Sequence, residues 1–503
     1  MRKIIALTVA LCAATASAQD VGMYQNALSS FNAGEFDKAA RTFWELSETS
    51  TDQDIRARSE YYLAQSLSRK QLPFAAYIYY FSILRSGPKH PFYLRAVEGL
   101  VNVQRELNDQ YLIPNTLNRE YNEQWATLPL ETLARINYMI GIIEHRRARF
   151  EEARDFLSAV PRETTIYAKA RYLLGIVYVD PRFPGGPQFK DGLDAFQEVA
   201  NLQGDRFEGL AETKQLATLA MGRTYYGMGE YQNSVNAYEK IPRFSRYWDQ
   251  ALFENGFARF QNEDFGGALG SLQALHAPQF AGAFQPESWI LKATVFYFSC
   301  LYEESKASLQ SFDERYLPMG EAIRKLTEGE EERDPSYYYN LVASPESKQV
   351  PRPVLLWVRG NERMLGLFGM LAQIDKEKAA IAANTAWQGS KMGPDITTYL
   401  DQNRGTLTQI AGTVARNRLQ EAAQNIRTYS DASEIIRFET TKAEKELFEG
   451  GIDQTRILNA QNLYRPRMPA EDWNYWRFQG EFWIDEIGYY QYTLKRGCPE
   501  GRQ

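Results

Sequence analysis

One pattern of small and bulky residues recurs through the first two thirds of the chain and limits how it can fold. A small residue is followed about nine positions later by an aromatic or apolar residue, then by a second small residue and a bulky apolar one. The segments ALSSFNAGEFDKAARTFWEL and YMIGIIEHRRARFEEARDFLSAVP, which begin at 27 and 138, both show it. The first small position falls at Ala27, Ala64, Gly141, Gly175, Gly222, Gly256 and Ala293.

The spacing of these positions indicates a repeat. Two spacings are 34 residues, two are 37, and the interval between Ala64 and Gly141 covers two periods, which places a degenerate unit near 96–107. The pattern resembles the tetratricopeptide repeat, a helix-turn-helix unit of about 34 residues. The resemblance implies about eight repeats between roughly 20 and 317. They would stack into an all-α superhelix, because one helix pair cannot bury its apolar face alone.

Small residues stand where the two helices of one repeat would touch. Glycines such as Gly141 and Gly222 let the first helix approach the second closely, and the second helix contributes its own small positions. Those positions are Ala39, Ala76, Ala153 and Ala268, while Phe36, Phe150, Tyr231 and Phe265 would fill the turn ends. The segment 179–192 interrupts the fifth unit with prolines and glycines. It lacks the Gly-Lys-Ser/Thr ending of a phosphate-binding loop, so we interpret it as an inserted surface loop.

The resemblance also implies a partner-binding groove on the inner face of the superhelix. The residues expected there are Tyr61, Arg69, Tyr138, His145, Arg146, Tyr172, Arg223, Tyr226, Phe253, Phe257, Phe260 and Tyr297. Aromatic rings with a few arginines suit an extended or helical peptide that carries acidic groups. The alternative is that the rings only pack neighbouring helices together. The carboxylate-clamp pattern of chaperone-binding members is incomplete, which disfavours capture of a C-terminal carboxylate.

The C-terminal third has a different pattern. The stretch 318–353 is acidic, tyrosine-rich and then proline-rich, and predicts an irregular connector. Two helices should follow, over 354–387 and 395–448, joined by the turn GSKMGPD. Their apolar stripes are Met364, Leu367, Leu371, Ile374 and Ile381, then Leu419, Ala422, Ile426, Tyr429, Ile436, Ala443 and Leu447. The spacing of three and four predicts a coiled-coil-like antiparallel hairpin, with an arm for self-association as the alternative.

The segment EDWNYWRFQGEFWIDEIGYYQY (471–492) concentrates aromatic rings near the C-terminus. Its apolar residues step by three and four, which predicts one helix. The stripe is Trp476, Gly480, Trp483, Ile487, Tyr490 and Leu494. We expect this helix to clasp the repeat array, with docking of a partner as the alternative. The candidate clasp or docking residues are Trp473, Trp476, Phe482, Trp483, Ile487 and Tyr490.

The N-terminus predicts export. MRKIIALTVALCAATASA has a basic start, an apolar run and an Ala-x-Ala exit, so cleavage is expected after Ala18. The alternative is a lipoprotein signal ending at Cys12, but Leu11 stands where such signals place a small residue. The bacterial style of the signal predicts a periplasmic or outer-membrane-associated protein, and no later run is long and apolar enough to span a membrane. Cys300 and Cys498 would remain in the mature chain, where they could pair.

Composition and motifs argue against most enzyme classes. The net charge of −6 disfavours nucleic acid as a partner, and three histidines leave little for metal or base chemistry. The common catalytic motifs for zinc, phosphate, thiol and serine chemistry are missing, and no cofactor is expected. Superhelical lytic transglycosylases use a Glu-Ser pair, which Glu287 and Glu346 begin here, but no lysozyme-like segment follows. Glu481, Asp485 and Glu486 suit a solvated or ion-paired helix face better than general acid catalysis.

These patterns together predict a non-enzymatic periplasmic scaffold that binds other envelope proteins or peptides. The layout is similar to tetratricopeptide proteins of deltaproteobacterial envelopes, in particular those of the myxobacterial gliding-motility machinery. The alternatives are a lipoprotein-like module of outer-membrane biogenesis and a muramidase. The expected organisation is a signal peptide (1–18), the repeat superhelix (19–317), the connector (318–353), the hairpin (354–450) and the clasp (451–503).

Overall fold

The computed structural model describes residues 19–327, 333–449, 481–492 and 494. Within these residues all regular secondary structure is helical, as α-helices and short 3₁₀ turns, and there is no strand. The chain is therefore an all-α protein, as the sequence predicts. The expected signal peptide lies outside the described residues.

The first sixteen described helices form eight successive helix-turn-helix pairs, and the predicted degenerate unit is the third. Their bounds are α1 (19–32), α2 (Phe36–Thr49), α3 (Gln53–Arg69), α4 (Pro73–Ser86), α5 (Tyr93–Leu107), α6 (Leu112–Glu120), α7 (Leu130–Arg146), α8 (Phe150–Ser158), α9 (Tyr167–Val179), α10 (Phe189–Asn201), α11 (Leu210–Gly227), α12 (Tyr231–Tyr238), α13 (Trp248–Gln261), α14 (Phe265–Leu275), α15 (Glu287–Phe298) and α16 (Tyr302–Thr327). This succession is a helical-repeat solenoid.

The turn inside seven of the eight pairs has one recurring backbone geometry. A residue with positive φ follows the first helix, and the next residue returns its N–H to a carbonyl five positions back, as in the bond from Arg149 to Glu144 at 2.9 Å. This is the Schellman motif, which satisfies the otherwise unpaired carbonyls at a helix end. The positive-φ residues are Gly34, Gln71, Asn108, Ala148, Gly229, Glu263 and Cys300. The pair α9–α10 lacks this turn, because the predicted inserted loop stands there.

Side chains close the same turns from the apolar side. In three pairs, aromatic rings five residues apart meet across the turn: Phe31 with Phe36, Tyr226 with Tyr231, and Phe260 with Phe265, with centroid distances of 5.5, 5.5 and 5.8 Å. Edge and tilted contacts of this kind add to the area that the rings bury. The ring of His145 lies against Phe150 in the same way, at 5.9 Å.

Small residues allow the two helices of a pair to approach, as the sequence predicts. A Cβ atom on Gly141 would lie 2.6 Å from Cγ of Leu157, and one on Gly222 would lie 2.5 Å from the ring of Tyr238. Neither distance is compatible with a real carbon contact. The second small positions, Ala39, Ala76, Ala153 and Ala268, are fully buried.

The region after Pro318 is more helical than predicted. Helix α16 continues through Pro318, and the expected irregular connector contains α17 (Pro335–Ala343) and the start of α18 (Arg352–Arg359). The predicted helix over 354–387 is divided at Gly360 into α18 and α19 (Glu362–Ala382), with a 3₁₀ turn at Thr385–Trp387. Helix α20 (Met392–Glu449) then runs for 58 residues.

The chain divides into two compact units, each built from two separate stretches. The first unit takes Met1–Tyr167 and Glu362–Thr413, and the second takes Ala168–Asn361 and Val414–Gln503. Helix α20 therefore contributes its first part to the first unit and its later part to the second.

In the first unit, α19 and the start of α20 form the expected antiparallel hairpin. Asp375 accepts a hydrogen bond from Arg404 at 2.7 Å, and Lys378 pairs with Asp401. The apolar stripe of α19, from Met364 to Ile381, is buried.

In the second unit, the later part of α20 packs against α16 instead of α19. Arg437 donates to Asp313 at 2.6 Å, and Lys306 donates to Glu444 at 2.5 Å. The predicted heptad stripe faces inward, since Leu419, Ala422, Ile426 and Leu447 are buried. The reason is length: 21 residues of α19 cannot accompany 58 residues of α20 at 1.5 Å per residue.

Candidate protein-interaction surfaces

The hairpin of the first unit is fastened to the repeats by a buried carboxylate. Glu377 on α19 is fully buried and accepts 2.9 Å hydrogen bonds from the backbone N–H groups of Phe74 and Ala75. These two amides belong to the first turn of α4, where N–H groups have no partner inside the helix. Burial raises the pKa of Glu377 to about 7, opposed by these hydrogen bonds and by one from Gln373. Glu106 adds a smaller increase in that pKa.

The tip of the same hairpin holds the first repeat. Trp387 donates from its indole nitrogen to the carbonyl of Asp37 at 2.9 Å, and Asn384 donates to the carboxylate of Asp37 at 2.7 Å. Arg41 returns a hydrogen bond to the carbonyl of Ala386 at 3.1 Å. Helix α2 and the hairpin tip are therefore joined by polar contacts in both directions.

The predicted groove residues of the first unit lie on α3 and α7, and the structure gives several of them packing contacts. The buried ring of Tyr61 stacks on Phe92 with centroids 4.6 Å apart. Arg146 lies 4.7 Å from the ring of Tyr111 and donates to the carbonyl of Gln110. The other three are the half-buried Tyr138 and His145 and the exposed Arg69.

The predicted groove residues of the second unit lie on α9, α11, α13 and α15. Arg223 forms a forked ion pair with Glu254, with its shortest contact at 2.6 Å, and so links α11 to α13. Phe253 and Phe257 meet edge to face at 5.3 Å. The others contact neighbouring rings: Tyr172 with Phe196, Tyr226 with Tyr231, Phe260 with Phe298, and Tyr297 with Tyr302.

The C-terminal segment, defined here as residues 481–492 with Leu494, is not a helix, so the prediction for this stretch is wrong. It has a hydrogen-bonded turn at 484–488 between residues without regular secondary structure. The physical reason is that backbone groups of Ile484, Asp485 and Tyr492 bond to partners outside the segment. The N–H of Tyr492 donates to the carbonyl of Gly266 on α14 at 3.1 Å. Trp473 and Trp476 lie outside the described residues.

A pair of glycines on α14 makes room for this backbone. A Cβ atom on Gly266 would lie 2.2 Å from the carbonyl oxygen of Tyr492, and one on Gly270 would lie 1.7 Å from that of Tyr490. The two glycines are one helical turn apart and face the same way. The hydroxyl of Tyr492 then reaches Gln273, the next residue along that face, at 3.3 Å. Helix α14 thus has a side-chain-free surface that the backbone of the segment approaches closely.

One apolar side chain anchors the segment. Ile487 is fully buried in a cluster that includes Trp248 on α13 and Ile241 before it. The following residue, Gly488, has a φ of +98° and lies so close to Trp248 that a Cβ atom would approach its ring to 2.7 Å. Only glycine suits both demands, because other residues rarely adopt this conformation.

Some of the predicted groove residues and some of the predicted clasp residues pack against the same apolar clusters. Tyr226 and Phe253 from the groove, and Phe482 and Tyr490 from the C-terminal segment, pack against the cluster that contains Ile487. Phe257 and Phe260 pack against a neighbouring cluster that also receives Tyr492 and Leu494. Trp483, by contrast, is exposed. The segment therefore contacts the repeat array through part of its predicted residues, and their binding of an outside partner stays a prediction.

The candidate catalytic carboxylates occupy structural or exposed positions. Glu287 accepts a 2.8 Å hydrogen bond from the hydroxyl of Tyr429 on α20, and burial together with this bond raises the pKa of Tyr429. Glu346, Asp485 and Glu486 are exposed. Among the described residues, no group of three or more His, Cys, Asp and Glu side chains is placed to hold a metal ion.

Two features of these surfaces are not among the sequence-based predictions, although each has a signal in the sequence. Glu377 stands between Ile374 and Ile381 in an otherwise apolar stripe, where a charge needs a buried partner. The second feature is the glycine content of FGGALG at the start of α14, because glycine destabilises a helix interior and indicates a close approach of another chain segment. Neither signal names the partner, since both partners are distant in sequence.

Cys300 is disulfide-bonded and stands in the turn between α15 and α16. The other cysteines, Cys12 and Cys498, lie outside the described residues. A disulfide is typical of proteins in oxidising compartments.

None of the helices in the described parts of the chain is both long enough and apolar enough to cross a membrane. The sequence matches no protein-family model and no curated protein.

Proposed function

We propose that this protein is a non-enzymatic scaffold of the bacterial periplasm, which holds protein partners of a cell-envelope assembly on its helical repeats. The observation that carries the proposal is the way the C-terminal segment binds to the repeats. A non-helical segment of the chain lies along α14, bonded through the N–H of Tyr492 and anchored by Ile487. A repeat surface that accommodates one such segment has the shape and chemistry for protein recognition.

Two further observations favour the periplasm. The first 18 residues have the pattern of a cleavable export signal, and Cys300 is disulfide-bonded, as expected in an oxidising compartment. The likeness of the layout to tetratricopeptide proteins of deltaproteobacterial envelopes supports an envelope assembly, and the myxobacterial gliding-motility machinery is the specific case that it suggests.

Site-specific photo-crosslinking in living cells tests this function. A photo-reactive amino acid is placed at exposed apolar positions of the repeats, such as Leu130, Met228 and Phe298. Arg182 in the inserted loop serves as the comparison position. We expect the repeat positions to give discrete adducts with the same envelope proteins in independent cultures. Absence of adducts at all three repeat positions would contradict the scaffold function, and so would release of muropeptides from peptidoglycan by the purified protein.

A further inference from the structure

The C-terminal segment contains a turn with a fixed backbone, residues 483–489, called here the 483–489 turn. The N–H groups of Glu486 and Ile487 both donate to the carbonyl of Trp483, at 3.0 and 3.1 Å. The N–H of Trp483 donates in turn to the hydroxyl of Tyr490 at 3.2 Å. These bonds hold the turn in one conformation, so little conformational entropy is left to lose when it binds something.

One arginine of the repeats also holds the turn in place. Arg243, between α12 and α13, donates to the carbonyls of Ile484 and Asp485 at 3.0 and 3.1 Å. Its guanidinium lies 4.6 Å from the ring centroid of Tyr489. Together with the buried side chain of Ile487, these contacts fix the orientation of the turn as well as its shape.

This rigid turn directs its largest side chains outward. Trp483, Ile484 and Tyr489 are 60%, 64% and 71% exposed, although Ile487 between them is fully buried. The ring of Phe244 also lies against Arg243, 5.3 Å from its guanidinium, and Phe244 is 53% exposed. Leaving large apolar side chains in water forgoes the free energy of their burial. Clustered exposure of this kind marks interaction sites in folded proteins.

The charged side chains of the segment itself are all acidic. Arg243 is a basic side chain in contact with the turn, and its guanidinium donates to the carbonyls of Ile484 and Asp485. The stretch 481–492 contains Glu481, Asp485 and Glu486 and no Lys, Arg or His. Asp485 and Glu486 are exposed and follow Trp483 and Ile484 directly. The exposed apolar centre therefore has an acidic edge, and complementary interfaces place opposite charges at such edges.

We propose that the 483–489 turn is a docking epitope for a protein partner of basic character. The partner offers an apolar pocket to Trp483 and Ile484 and surrounds it with Lys or Arg side chains. Aromatic anchors with a polar rim are the usual composition of an interface hot spot. This inference rests on the scaffold function and gives its partner a chemistry.

Binding of a defined peptide to the purified full-length protein tests the epitope. The probe is a fluorescein-labelled amphipathic helix of leucine and lysine, compared with one of leucine and glutamate, and fluorescence anisotropy measures Kd. We expect only the lysine peptide to bind, and the double variant W483A/I484A to weaken binding about tenfold or more. Because both side chains are exposed and the turn is bonded through its backbone, this variant keeps the fold.

Charge reversal at the turn provides a second test of the proposal. Asp485→Lys with Glu486→Lys should abolish binding of the lysine peptide and allow the glutamate peptide to bind. Glu151→Lys with Glu152→Lys makes the same change of net charge on an exposed part of α8 and should leave Kd unchanged. If both double variants weaken binding equally, or if both peptides bind the wild type equally, the proposal of a basic partner at this turn is wrong.

Two other outcomes would assign the turn differently. If sedimentation shows a wild-type dimer that W483A/I484A converts to a monomer, a second copy of the chain occupies the turn. If chitooligosaccharides bind and the lysine peptide does not, the occupant is a glycan. Either result overturns a basic protein partner. Crosslinks at Leu130, Met228 and Phe298 that persist in W483A/I484A would show that the scaffold function stands even when the epitope fails.

Discussion

Glu377 caps the first turn of α4 from a helix about 300 residues away in sequence, through a 2.9 Å hydrogen bond to the backbone N–H of Phe74 and a second to Ala75. Most helix N-caps come from the residue just before the helix, and Leu72 at that position has no side-chain acceptor. The hairpin of the first unit supplies the missing acceptor. Helix α4 is therefore incomplete without α19.

The first prediction concerns the pH dependence of this contact. The pKa of Glu377 is raised from 4.5 to about 7, so the unfolded chain releases its proton before the folded chain does. The contribution of Glu377 to the free energy of unfolding is therefore full below pH 4.5 and falls as the pH rises to about 7. By linkage, the fall is roughly 3 kcal/mol. Urea unfolding at several pH values should show this fall in the wild type and its loss in Glu377→Gln.

The control for this prediction is Glu362→Gln, since Glu362 is exposed at the start of the same helix. That variant should keep the wild-type pH dependence. If Glu377→Gln also keeps it, the carboxylate is not the titrating group.

The second prediction concerns the seat of the C-terminal segment. In Gly270→Ala the new methyl group would overlap the carbonyl of Tyr490, because the ideal Cβ position lies only 1.7 Å from that oxygen. The segment must then leave α14, and hydrogen–deuterium exchange of a peptide covering 484–492 should accelerate. Gly366→Ala on α19 has nothing within 4 Å and should leave this exchange unchanged. An unchanged rate in Gly270→Ala would mean that the segment does not occupy this seat in solution.

The third prediction concerns the anchor. Ile487→Ala removes the one fully buried side chain of the segment, and large-to-small changes at buried Ile cost about 2–5 kcal/mol. We expect the segment to be released from the array, so that limited proteolysis cleaves within 481–492 faster than in the wild type. Ile484→Ala is the matched control, because Ile484 is 64% exposed. This variant should be cleaved at the wild-type rate. Equal cleavage of both variants would contradict the anchoring role.

The fourth prediction concerns the turns of the solenoid. Ala148 has a φ of +57°, which places its Cβ close to its own backbone and costs about 1 kcal/mol. Ala148→Gly should remove this strain and raise the free energy of unfolding by about 0.5–1 kcal/mol, measured by urea denaturation. Ala159→Gly, at a position with a φ of −75°, has no strain to relieve and should not stabilise the protein. A loss of stability in Ala148→Gly would disprove the account of the turn.

The repeats could be predicted because their signals are local. A glycine such as Gly141 and its partner Leu157 lie in one helix pair, and the same spacing recurs along the chain. The turns that contain a residue with positive φ can be predicted only in part. Glycine marks them at Gly34 and Gly229, whereas Gln71 and Glu263 adopt the same conformation without any sequence signal.

The C-terminal segment shows why the rest could not be predicted. The three-and-four spacing of Trp483, Ile487 and Tyr490 fits a helix, yet the segment forms a turn between residues without regular secondary structure. Its backbone bonds to α14, more than 200 residues earlier, and periodicity carries no information about such a partner. Gly488, with its positive φ, was the local sign against a continuous helix.

The glycines of α14 are synthesised well before the segment that binds to them. Gly270 is synthesised about 220 residues before Ile487, which at 5–20 residues per second is a delay of roughly ten to forty seconds. Repeats that fold before Ile487 is in place leave the apolar site around Trp248 open. A chain without its C-terminal segment therefore differs from a finished one by an unfilled apolar site on its repeats.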